Sequence, residues 1–66
     1  MNEEIIGMAI KALDQEIEKT PTAQLLKERG RLRMMIGDHE GALADLQAAA
    51  RMDPQLLAGL NGQFKG

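Results

Sequence analysis

The 66-residue chain contains no cysteine, no tryptophan, no tyrosine, no serine and no valine, and a single phenylalanine. Without cysteine, no disulfide and no thiolate-held metal can staple so short a polypeptide. With valine absent and aromatics nearly so, the core must be built from Leu, Ile, Met and Ala, which favours helices over a β-sandwich. Without serine, no Ser-His-Asp arrangement can form. The one histidine, His39, has no second His or Cys with which to share a metal, so it is expected to be a helix-start residue between Asp38 and Glu40. Gly59-Leu60-Asn61-Gly62 lacks the lysine and the strand context of a phosphate loop. Neither catalysis nor a cofactor or metal is therefore expected. No apolar run approaches the ~20 residues of a membrane span. The acidic start, Met1-Asn2-Glu3-Glu4, is unlike the basic start of a secretory signal. A net charge of −2 argues against a general nucleic-acid binder. The expectation is a soluble, cytoplasmic protein with neither membrane nor nucleic acid as a partner.

What is present is helical periodicity. Ile6, Ala9, Ile10, Leu13 and Ile17 form one apolar row, widened by Ile5, Met8 and Ala12. Asn2 can cap this helix, and Glu3 and Glu4 suit its N-terminal dipole. Gly7 is a weak point inside it, costing roughly 1 kcal/mol against alanine. Thr20-Pro21-Thr22 interrupts the pattern, and either threonine can cap the next helix. Leu25, Leu26, Arg29, Leu32, Arg33 and Ile36 share a side of that second helix. Gly37 suits a left-handed helix end, and Asp38 suits the cap of a third helix. The third helix carries Ala42, Leu46, Ala49 and Asp53 on one row, beside Leu43, Ala50 and Met52, and Asp53-Pro54 closes it. The reading is a single all-α domain over 1–66, with helices near 2–19, 22–36, 39–52 and 55–60. Asn61-Gly62 turns the chain into a tail, 61–66, whose Phe64 can pack back on Leu56 and Leu60 or dock on another chain.

The stretch from Gly30 to Pro54 resembles one helical hairpin of the tetratricopeptide repeat family. Gly30 stands at the first-helix glycine, Gly37-Asp38 at the turn, and Ala42, Leu46, Ala49 and Pro54 at the second-helix positions. Ala9 to Ala42 and Pro21 to Pro54 repeat at the same interval of 33 residues (42 − 9 and 54 − 21). The family period is about 34. The resemblance thus covers residues 9–60 and implies antiparallel helical hairpins amounting to about one and a half repeats. It implies that Arg29 and Asp45 pair across the hairpin. Arg33 and His39 stand where the family usually has tyrosines, which implies a less tightly filled hairpin.

Charge alternates by segment. Residues 1–20 hold five acids and two bases, residues 23–36 four bases and one acid, and residues 37–54 four acids and one base. A basic helix between two acidic ones favours this order of neighbours. Gln24, Lys27, Arg31, Met34 and Met35, together with Glu28, fall away from the Leu25–Ile36 row. The resemblance implies that this side is the concave, partner-holding face, Lys27 and Arg31 being one turn apart and the methionines adaptable contacts. The bland alternatives are solvated or self-paired charge, and methionines covered by the first helix or the tail.

A chain this short buries only about 60% of its unfolded surface, and stacked repeats generally need about three units. The expectation is a protein–protein interaction module that binds a protein or peptide and also self-associates as a homo-oligomer. The alternative is a purely structural, homo-oligomerising piece of a longer repeat array with no separate ligand.

Overall fold

The structure, a computed structural model, describes residues 3–56. Three helices follow one another: α1 (Glu3–Lys19), α2 (Ala23–Met35) and α3 (His39–Met52). Helical geometry resumes over 54–56. The expected Asn2 cap, most of the fourth helix and the tail with Phe64 lie outside the described residues. The fold is all-α, with no strand among the described residues and no helix there long and apolar enough to cross a membrane.

Each boundary has a local chemical cause. Glu3 and Glu4 open α1 and Lys19 closes it, as its dipole favours. Thr22 caps α2: its side-chain oxygen accepts from the Leu25 N–H at 3.1 Å. Gly37 has φ +85°, the left-handed conformation that ends a helix without cost only for glycine. Its N–H donates to the Met34 carbonyl (3.1 Å), and the Asp38 N–H donates to the Arg33 carbonyl (2.8 Å). Asp38 then caps α3, accepting from the Gly41 N–H at 3.0 Å. After α3, the Asp53 carboxylate accepts from the Gln55 N–H at 3.1 Å and turns the chain past Pro54.

The central helix, α2, packs against both α1 and α3. The α2–α3 hairpin is the tight part. The buried residues are Leu26 and Gly30 of α2 and Ala42, Asp45 and Ala49 of α3. At Gly30 the two helices approach closely. A Cβ placed there would stand 3.2 Å from the Ala42 carbonyl oxygen, 3.2 Å from Asp45 Cβ and 3.3 Å from Leu46 Cγ. Two small residues facing one another, Gly30 and a fully buried Ala42, allow this approach.

By contrast, α1 has no buried residue. Its row of Ile6, Ala9, Ile10, Leu13 and Ile17 is half-buried, while Ile5, Met8 and Ala12 are exposed. Ala9 and Ala42 occupy equivalent sequence positions, yet only Ala42 is sealed. Ala42 faces Gly30 of the preceding helix, whereas α1 has no helix before it among the described residues.

Two glycine substitutions separate tight from loose packing. Gly7 has nothing within 4 Å of an added Cβ, so Gly7→Ala is expected to stabilise the protein by about 0.5–1 kcal/mol through helix propensity alone. Gly30→Ala is expected to destabilise it by about 1–3 kcal/mol, because the hairpin must open to admit a methyl group. Urea unfolding followed by circular dichroism measures both.

Candidate functional site

The polar centre of the molecule is built on Asp45. Its side chain is only 5% exposed, yet it accepts three hydrogen bonds, all from α2. Arg29 donates to it as a fork, Nε to Oδ2 at 2.9 Å and Nη2 to Oδ1 at 2.8 Å. Arg33 Nη1 donates to Oδ2 at 3.1 Å. The remaining nitrogen of Arg29, Nη1, donates to Asp14 Oδ1 of α1 at 2.7 Å. One guanidinium therefore ties all three helices together. Arg33 also lies 3.8 Å from the Asp38 carboxylate that caps α3. No buried side-chain nitrogen or oxygen among the described residues lacks a hydrogen-bond partner.

Paired in this way, Arg29 holds its proton more tightly than a free guanidinium. The hydrogen bond to Asp45 is the main cause; partial burial opposes it, and Asp14 adds to it. A cation whose folded affinity for its proton is raised contributes stability that is fully present below the ordinary arginine range. As pH rises, that stability is lost only beyond the ordinary arginine range.

The Arg29–Asp45 pair forms across the hairpin. The sequence pattern did not reveal that Arg33 shares Asp45 or that Asp14 completes the array. Arg33 falls on the apolar side of α2, at a place the resemblance gives to a tyrosine, and here a cation fills it. Asp14 lies next to Leu13 on the α1 face towards α2; its one readable signal was an acid placed beside an apolar row.

A second feature is a groove of about 410 Å³ between α2 and α3. Lys27, Glu28, Gly30, Arg31 and Met34 of α2 line it, with Leu46 of α3 opposite. Its volume falls within the usual range of ligand pockets. Three of the five expected face residues, Lys27, Arg31 and Met34, come together here. Gln24 and Met35 are exposed on α2 and lie outside the lining. Gly30 contributes backbone to the wall of the groove, and its Cα side is closed by Leu46, whose Cγ would stand 3.3 Å from an added Cβ. Arg31 lies 3.5 Å from Glu28 on the surface, a pair worth little. Lys27 makes no ion pair among the described residues.

His39 approaches Met34 at the end of the groove, Nδ1 to Sδ 3.1 Å, and both side chains are exposed. It thus packs at the helix start and helps to hold the Met34 thioether in place. No group of three His, Cys, Asp or Glu residues suited to a metal occurs among the described residues.

The two partners of Arg29 are expected to differ sharply in worth. Asp45→Ala leaves two guanidinium groups facing an empty buried site and should cost about 3–5 kcal/mol, most of the stability of a domain this small. Asp14→Ala removes a carboxylate that is 46% exposed and should cost under about 1 kcal/mol. Chemical denaturation of the two variants under identical conditions separates them.

Set beside protein-family models, curated proteins and solved structures, the chain matches none of them.

Proposed function

We propose that this chain is a protein-interaction module built of tetratricopeptide-type helical hairpins, and that it binds a protein or peptide and also associates with itself. The observation that carries the proposal is the groove between α2 and α3, with its apolar floor and its lysine free of ion pairs among the described residues. An apolar trough edged by two cations suits a segment that offers aliphatic side chains and carboxylates. The hairpin type is supported by the Gly30–Ala42 approach, the left-handed Gly37, the buried Ala49 and the forked Arg29–Asp45 pair.

A second reading, a purely structural assembler with no separate ligand, has one observation in its favour. α1 carries apolar residues on the face turned away from α2, Ile5 being 62% and Met8 71% exposed. A terminal helix of a stacked array is ordinarily polar on that face.

The test replaces Lys27 and Arg31 with glutamate and Met34 with alanine. Captures from cell lysate by this variant and by the parent chain are then compared by quantitative mass spectrometry. Specific partners of the parent should fall at least tenfold with the triple variant. They should be unchanged with Met35→Ala, which lies outside the groove. Equal recovery with both variants would count against the proposal.

A further inference from the structure

α1 and the α2–α3 groove are mismatched within one chain and complementary between two. Among the described residues, four carboxylates of α1, Glu3, Glu4, Glu16 and Glu18, make no ion pair, and only Lys11 and Lys19 offset them along the helix. Its fifth acid, Asp14, is held by Arg29. The exposed stripe Ile5, Met8 and Ala12 recurs at helical spacing on the side away from α2. Glu4 and Glu16 lie on its two margins, roughly 100° per residue fixing their positions. The groove offers the reverse: Lys27 and Arg31 against Glu28 at the rim, with Gly30, Met34 and Leu46 as its apolar floor. The helix that supplies the acids cannot reach this groove in its own chain, because it packs on another part of α2 through Asp14 and Arg29.

We infer that the occupant of the groove is the outward stripe of α1 from a second copy, docked as an amphipathic acidic helix. This inference rests on the groove being an interaction site, and it assigns the partner. Ile5 and Met8 enter between Met34 and Leu46, while Glu4 and Glu16 meet Lys27 and Arg31. The contact joins two different surfaces, so each copy keeps one free groove and one free α1 stripe. Such heterologous contacts build rings or open chains rather than stopping at a simple two-fold pair. The contact is small and its ion pairs lie at the surface, so association is weak and falls with salt.

Analytical ultracentrifugation of the full chain tests this, from about 10 μM to about 500 μM, at about 50 mM and about 1 M sodium chloride, conditions between which screening changes several-fold. The weight-average mass should rise past that of a dimer at the highest concentration in low salt, and the association constant should drop at least tenfold in high salt. Two charge-reversed variants sharpen the result: Lys27→Glu with Arg31→Glu, and Glu4→Lys with Glu16→Lys. Each alone should remain monomeric, since groove and stripe then carry the same sign. Mixed in equal amounts they should associate again, because each stripe now meets a groove of opposite charge. Circular dichroism checks that both stay helical; should either unfold, Lys27→Gln with Arg31→Gln takes its place and should weaken association about tenfold.

A mixture that stays monomeric, or association that survives groove reversal, overturns the inference. A parent chain that is monomeric throughout while its groove variants lose lysate partners overturns this assignment and leaves the interaction reading standing. Restored association in the mixture, with lysate capture indifferent to the groove, supports this assignment and removes a separate partner.

Discussion

The structure depends on the Asp45 carboxylate held between Arg29 and Arg33. A charge this deeply buried is costly unless every lone pair is met. Here three guanidinium hydrogen bonds meet it, and the fork from Arg29 fixes the relative rotation of α2 and α3 as well as their separation. The helices can approach closely enough for the fork because Gly30 has no side chain and Ala42 a small one. The ion cluster and the glycine contact are therefore one device. An arginine at Gly30's neighbour is useful only if the backbone beside it can come near, and the backbone comes near only where nothing protrudes.

The same device leaves the rest of the molecule thin. Among the described residues, the buried apolar side chains are those of Leu26, Ala42 and Ala49. A buried leucine contributes about 1.5–3 kcal/mol, so these three residues supply only a small apolar contribution. α1 adds half-buried contacts and one half-exposed ion pair. Its position rests on the third arm of Arg29 and on the row from Ile6 to Ile17. The groove beside Gly30 lies along the same seam, where Lys27, Arg31 and Met34 of α2 face Leu46 of α3.

Much of this was legible in the residues. Gly37-Asp38, Thr22 and Asp53-Pro54 act within a turn or two of chain, so their capping chemistry can be read without knowing what packs on what. Helix periodicity is likewise local, and the alternation of acidic, basic and acidic segments pointed to α2 as the middle helix. Of the candidate face, Lys27, Arg31 and Met34 share a row and also share the groove. Gln24 and Met35 lie on the same broad side of α2 and are exposed, yet neither lines the groove. The apolar face of α1 is narrower in contact than in composition. Ile5, Met8 and Ala12 stay in solvent because one neighbouring helix can cover only one stripe.

The amino-acid order alone pointed to three helical segments within residues 3–52 and to the caps and turns between them, while the pairing of Arg29 with Asp45 was implied by the resemblance. The helices and their caps obey short-range rules: backbone sterics, capping and a repeat of 3.6 residues per turn. Only the packed arrangement decided that Arg33 joins Asp45, that Asp14 reaches Arg29 from α1, and that Gly30 seats α3. Such meetings require residues 12 to 16 positions apart to come together, and they are fixed by the angle and spacing of whole helices rather than by any local pattern.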